Sequence, residues 1–484
     1  MAAQTLDGAP SLERFGYRQE LRRTLRFGHL VVYGLIYMVV IAPMGIFGSV
    51  FQASAGMVAL AYLIGMVAMM VTASSYGVMA QAYPMAGSVY TYAGRAIAPW
   101  VGFLAGWTIL LDYVLVPGLL SLIAAMAMNS IVTAVPVWAW IVIFVSVNAG
   151  VNLLGIKSTR LSNNIFLAGQ LIILAIYIVA ALIALARGRG RGFSWEPIYT
   201  SGQFQLGVLA TAASVATLSF LGFDALSTLA EDAKGGAKQV SRAMIAALGV
   251  TGLVFIAQTF LAALLVEDPA TLIADGDPAG TAFFDTARVA AGPWLATLTA
   301  LATALAWGLA NNMVAQVATS RLLYAMARDR QLPAFLAKVS VARSVPTNGI
   351  LLTAAVSLAL GLYMASRADG ITLLASLVNF GALLSFIMVH LAVLARRRRL
   401  GPAAGPALRQ WILPLLGVAI LAGIIVHANI LAQSVGGAWL GLGVLVLLIL
   451  IATGRRPHLS GLDADAAAST AGDSDNTGLV TRHV

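Results

Sequence analysis

A polytopic all-α membrane protein with two interrupted helices is the fold this sequence predicts, on three observations. Hydrophobic residues fill 60% of the 484 positions and charged residues only 10%, with a mean hydropathy of +0.88; soluble domains carry about 25% charged residues. About twelve stretches reach the roughly 20 apolar residues that cross a bilayer. Two of these stretches contain helix-weakening residues, at Pro43-Met44-Gly45-Ile46-Phe47-Gly48 and at Phe220-Leu221-Gly222-Phe223-Asp224. Discontinuous helices at matching positions of two halves are the sequence sign of a secondary transporter's binding site.

The spans fall near 28–50, 57–80, 100–128, 136–154, 165–186, 206–230, 243–266, 293–326, 347–365, 371–395, 411–431 and 437–453. Residues 1–24 mix Arg and Glu and show no small-residue cleavage site after an apolar core, so a cytoplasmic tail is expected rather than a signal peptide. Residues 457–484, rich in Ala, Ser, Thr, Gly and Asp, cannot bury a core and are expected to be disordered. The stretch 25–456 between them is expected to be one transporter domain.

Spans one to five (about 28–186) and six to ten (about 206–395) overlay with their interruptions in register. Five is odd, so the second copy must cross the membrane upside down: a five-plus-five inverted repeat, followed by two extra spans in 411–453. Lys and Arg set the orientation. With both termini cytoplasmic, Arg95, Lys157, Arg160, Lys234, Lys238, Arg242, Arg328, Arg330, Lys338, Arg343, the run Arg396–Arg399 and Arg409 fall inside, and the acidic stretch 267–285 falls outside. Arg187, Arg189 and Arg191 go against the bias.

Several function classes are excluded. Cysteine is absent, which removes disulfides, iron–sulfur clusters and thiolate metal sites. The five histidines are scattered without metal-ligand spacing, and no nucleophile–base pair appears, so neither a metal, a cofactor nor an enzymatic activity is expected. The net charge of +10 arises next to apolar segments, as the positive-inside rule requires; the expected surroundings are lipid, not nucleic acid.

Candidate binding residues follow from the interruptions. Pro43 removes a backbone donor, and Gly45 and Gly48 leave helical geometry cheaply. Unwound backbone at membrane depth is tolerated only where it lines a cavity or is buried in protein, so Pro43–Gly48 is expected to hydrogen-bond a polar substrate. A plain proline kink at a helix contact is the competing account. Asp224 stands beside the second interruption, and a carboxylate at the centre of a span costs about 3 kcal/mol unless paired or hydrated. It is a candidate to pair a substrate ammonium or to carry a coupling proton; a packing role is the alternative. Asp112, in mid-span three, carries the same arguments. Asn311, Asn312 and Asn379 are polar groups at depth that line a pathway or bond between helices. Tyr90 and Tyr92 read as interfacial or gate-packing aromatics.

Four segments taken in order resemble the amino acid–polyamine–organocation (APC) permeases over nearly all of 22–455. They are Tyr83-Pro84-Met85-Ala86-Gly87-Ser88-Val89-Tyr90-Thr91-Tyr92; Asn152-Leu153-Leu154-Gly155-Ile156-Lys157-Ser158-Thr159; Phe220–Asp224 with Glu231-Asp232-Ala233-Lys234 and Arg242; and Ser320–Asp329 with Pro333. Gly102–Trp107 with Leu111-Asp112-Tyr113, and Asn379–Leu383, are similar to the putrescine and polyamine importers of that family. The resemblance implies a substrate held between spans one, three, six, eight and ten, and proton-coupled uptake or exchange of amines or amino acids.

Two departures shape the substrate expectation. Amino-acid-specific members carry a Gly-Ser/Ala-Gly carboxylate cradle where this chain has Pro43–Gly48, which favours an amine. Some proton-coupled members place a lysine in span five where alignment on Asn164 puts Gln170, so any coupling proton is expected on Asp224 or Asp112. The expected function is import of a small organic amine such as putrescine at the inner membrane, with a neutral or cationic amino acid permease as the alternative and a non-transporting receptor as a distant one.

Overall fold

A computed structural model describes residues 25–83, 89–155, 160–230, 233–328, 330–340, 343, 345–401 and 405–454. Both expected tails lie outside the described residues, as do Pro84–Ser88, Ile156–Thr159, Glu231, Asp232 and Asp329 of the family-like segments.

Among the described residues the chain is helical, with nine helices long and apolar enough to cross a membrane. A bent pair, Phe27–Met38 and Pro43–Ala53, meets at 62° and makes a tenth crossing. The shorter apolar helices Val137–Leu153 and Leu206–Phe220 bring the segments to the twelve expected. Each expected span overlaps one of them. The third span (Pro99–Ile131) and the tenth (Gly370–Leu400) are each 78% buried over their most apolar stretch, whereas the twelfth (Ile430–Ala452) is 22% buried. The former are central pillars, and the latter turns its apolar side chains outward.

The second span (Val58–Ala82) lies along the seventh (Gly236–Leu264), the third along the eighth (Pro293–Arg328), the fourth (Val137–Leu153) along the ninth (Thr347–Ala365), and the first against the sixth. Each of spans one to four thus contacts the span five places on, and the third also packs on the ninth and tenth. The third and twelfth spans are stapled by Trp107 and Trp439, stacked 4.8 Å apart. Each indole N–H donates to the other residue's carbonyl oxygen at 2.8 Å.

The first interruption lies upstream of the expected place. Pro43–Ala53 is a regular α-helix with Pro43 in its first turn, where the missing N–H has no intrahelical partner to lose. Pro43 starts this half-helix rather than breaking one. The chain leaves helical geometry before it, at Val39, whose φ of 52° is rare for a β-branched residue. The Gln258 side chain of the seventh span donates to the freed Val40 carbonyl at 3.1 Å.

Arg189 and Arg191 close helix ends. The Arg191 backbone N–H and guanidinium donate to the carbonyls of Leu264 and Ala263 at the end of the seventh span. Arg191 also pairs with Glu196 at 2.6 Å. Arg189 reaches the carbonyls of Val289 and Ala290. Cations suit the carbonyl end of a helix, so capping explains why they break the charge pattern.

On the same side, the loop after the seventh span seats Asp277 directly on Gly48. Its carboxylate accepts N–H bonds from Thr281 at 2.9 Å and Ala282 at 3.1 Å. Burial outweighs these bonds and holds the carboxyl above its ordinary range. A raised folded-state value stabilises below the unfolded pKa of about 3.9 and is lost as pH rises through the folded value. Asp277→Asn should therefore gain thermal midpoint relative to wild type as pH rises from about 4, measured by a thermal unfolding series; a pH-independent difference would contradict this assignment.

Candidate functional site

The interruptions of the first and sixth spans touch. In the sixth, the α-helix Leu206–Ala216 tightens into a 3-10 turn, Thr217–Phe220, followed by extended Leu221 and left-handed Gly222 with φ 104°. A second 3-10 helix, Phe223–Leu229, then begins. A methyl group on Gly222 would lie 2.8 Å from the Tyr37 carbonyl oxygen. Only glycine satisfies both the dihedral and the approach. Asn379 of the tenth span donates to the carbonyls of Ser214 and Val215, where the α-helix gives way.

A cavity opens beside this crossing. The first span contributes Tyr37, Met38 and Ala42; the third contributes Asp112, Tyr113, Val116 and Leu120 at helical spacing. From the sixth come Leu218, Ser219, Leu221, Gly222, Asp224 and Ala225. The eighth adds Trp307, Asn311, Val314, Ala315 and Ala318. The wall is mostly apolar, with its charge supplied by Asp112 and Asp224. No Lys, Arg or His is among the lining residues.

Both carboxylates are buried, Asp112 at 5% and Asp224 at 7% exposure. Asp224 follows the Gly222 turn, which the Ala225 N–H closes by donating to the Gly222 carbonyl at 3.2 Å. Asp112 Oδ1 has no hydrogen-bond partner among the described residues, and neither has the Trp307 indole N–H. An uncompensated carboxylate at membrane depth calls for a cation, a proton or water. Such a site can hold an ammonium group against one or both acids and pack its carbon chain on the apolar wall.

Of the candidate residues, Asp112, Leu221, Gly222, Asp224 and Asn311 meet at this cavity. The rest face elsewhere. Phe220 packs on Tyr62 and Phe255, and Phe223 on Tyr76 and Phe386. Pro43, Met44, Ile46 and Phe47 are buried inside the regular half-helix, Phe47 edge-on to Phe283. Gly45 gives passage to Ile123 and Gly48 to Asp277. Their backbone is therefore not the unwound, substrate-facing stretch expected of Pro43–Gly48. Asn312 turns away from the cavity and donates to Ser121 Oγ at 2.8 Å, while its neighbour Asn311 lines the cavity. Tyr92 is fully buried against Tyr76 rather than interfacial, and Tyr90 accepts a bond from Gln331 at 2.6 Å. Gln170 lines no part of the cavity.

Sequence reasoning missed Tyr37, Ser219 and Trp307. A signal existed for Trp307: an indole deep inside a span, beside Gly308, instead of at the interface where tryptophan concentrates. Tyr37 and Ser219 carry no comparable mark.

Comparison with known sequences decides the family. The profile of the amino acid permease family matches residues 34–435. This chain belongs to that family. The permease is 30% identical to the low-affinity putrescine importer PlaP of Escherichia coli strain K12, over 91% of this chain and 96% of the relative. It is 26% identical to the branched-chain amino acid permease BcaP of Bacillus subtilis, over 70% and 73% of the two chains. It is 24% identical to the cationic amino acid transporter 3 of Arabidopsis thaliana, over 81% and 65%. The permease is accordingly a transporter and not an enzyme.

The crossing makes a specific demand on Gly222. Gly222→Ala should cost about 2 kcal/mol or more through its positive φ and the Tyr37 contact, read as a lowered thermal midpoint in detergent. Gly150→Ala, where an added methyl meets nothing within 4 Å, should be neutral or stabilising; equal behaviour of the two variants would refute the crossing.

Proposed function

We propose that this permease carries a small organic amine of the diamine class, such as putrescine, across the cell's inner membrane, with Asp224 and Asp112 holding the charged end. The observation that carries the reading is a cavity with two buried carboxylates and no basic side chain among its lining residues. An anionic substrate would be repelled there, and a neutral one would leave both acids unpaired. The similarity to a putrescine importer over nearly the whole of both chains supports the same choice.

The coupling ion in this reading is a proton, carried by Asp224 or Asp112, the carboxylic acids that line the cavity. Both termini lie in the cytoplasm. The basic loops support that orientation: Arg399 donates to the Ile97 carbonyl and Arg397 to that of Gly405, gathering arginine at one end of the molecule. Alternating access rocks one group of helices against the other around the crossing.

Import of an amino acid is the second reading, favoured by two relatives whose names specify amino acids. It asks the half-helix Pro43–Ala53 to receive a carboxylate at its positive end. Pro43 has no N–H to offer. The Met44 and Gly45 N–H groups are already bonded to the carbonyls of Ile41 and Ala42. That occupied first turn supports the amine.

In proteoliposomes, labelled putrescine should accumulate and be displaced by amines rather than by an amino acid panel. Asp224→Asn should weaken it at least about tenfold, the scale of a lost charged hydrogen bond. Undiminished uptake by Asp224→Asn would remove the carboxylate from its assigned role.

A further inference from the structure

The eighth span is not a uniform α-helix where it borders the cavity. Ala306–Asn311 is a π-turn between the α-helices Pro293–Leu305 and Asn312–Arg328. Such a bulge inserts a residue and re-aims the side chains around it. Its two cavity-lining members are Trp307 and Asn311. Between them, Gly308 is pressed against the third and fourth spans: an added methyl would lie 2.6 Å from the Ala124 side chain and 2.7 Å from the Phe144 ring.

A bulge leaves backbone carbonyl groups to be satisfied from outside the helix. Here the partner comes from the fourth span. Asn148, fully buried, divides its amide between two carbonyls, donating at 2.7 Å to Phe144 of its own helix and at 2.7 Å to Gly308. One turn on, Asn152 donates to Gln316 Oε1 at 2.6 Å and to the Met313 carbonyl at 3.4 Å, both below the bulge. The fourth span thus presents two asparagines to the eighth, and only one of them holds the bulge. Asn148 itself is not among the cavity-lining residues.

We propose that Asn148 is a positioning residue for substrate binding: by holding the Gly308 carbonyl it fixes the bulge that sets Trp307 and Asn311 into the cavity wall. The proposal deepens the amine reading and rests on it for the ligand, but the bulge itself can be read without any ligand. Without the Asn148 amide, the buried Gly308 carbonyl loses its partner and the bulge loses the bond that holds its register. That loosening lets Trp307 and Asn311 rotate about the helix axis and reshapes the wall facing Asp112 and Asp224.

The test uses the full-length purified protein, with Asn148→Leu (similar size, no donor), Asn148→Ser (a shorter donor) and Asn152→Leu as the control one turn away. Hydrogen–deuterium exchange without ligand should show faster exchange of the segment 306–311 in Asn148→Leu, a smaller effect in Asn148→Ser and none in Asn152→Leu. Putrescine affinity, from ligand-dependent thermal shifts, should fall at least about fivefold in Asn148→Leu, the worth of one hydrogen bond. The loss should disappear when Trp307→Phe and Asn311→Ala are already present, whereas a general loss of stability would persist. If wild type shows no putrescine-dependent shift, the amine reading fails, and the exchange data alone then decide the role of Asn148. Wild-type exchange at 306–311 in Asn148→Leu, or an equal effect of Asn152→Leu there, would overturn the proposal. Should Asn148→Leu fail to fold, the same comparison stands on Asn148→Ser.

Discussion

Backbone rests on backbone at the centre of this permease. Gly222 lies against the Tyr37 carbonyl, and this contact lets two helices interrupt themselves at one depth. Any side chain at position 222 would push the sixth span away from the first beside the cavity. Unwound backbone inside a membrane must be buried in protein or line a cavity, and both solutions occur here. Gln258 takes the Val40 carbonyl and Asn379 those of Ser214 and Val215, while Leu221, Gly222 and Asp224 face the cavity. The buried amides around the crossing are therefore scaffolding for irregular backbone rather than ligands.

Around that scaffold the cavity is polar only in places. Its apolar wall offers a hydrocarbon chain a dry surface, and its acids offer charge at a depth where charge is costly. Relatives of this chain carry names that specify a diamine and names that specify amino acids, and the way the first span resumes bears on that choice. Starting the half-helix on Pro43, with the next two N–H groups already bonded, leaves little to receive an anion. The electrostatics of the acids and the occupied helix start point to the same class of ligand from independent directions.

Much of this architecture is legible in the sequence, because a bilayer imposes length and hydropathy on every crossing. The twelve spans and the two interruptions carry strong signals, and Asp112 and Asp224 stand out as acids in apolar surroundings. The finer geometry is less visible. Pro43 advertises an interruption without saying on which side it lies; the physics of a helix start, where a missing N–H costs nothing, places the unwound residues at 39–42 and makes Pro43–Gly48 regular. Phe220 and Phe223 share a motif with Gly222, yet their rings fill aromatic clusters, since nothing in a linear motif tells which side of a 3-10 turn faces the cavity. The π-turn at Ala306–Asn311 leaves no mark in composition, so Asn312 and Asn311 cannot be told apart by sequence. Arg189 and Arg191 defy the charge rule because they answer to helix carbonyls.

An experimental structure of the permease with putrescine bound would show whether an ammonium group sits against the two buried acids beside the Gly222–Tyr37 crossing. The expected result is a ligand nitrogen within about 3 Å of an Asp224 or Asp112 carboxylate oxygen, with the carbon chain along the wall towards Trp307. A ligand seated elsewhere, with both carboxylates facing apolar side chains alone, would contradict it.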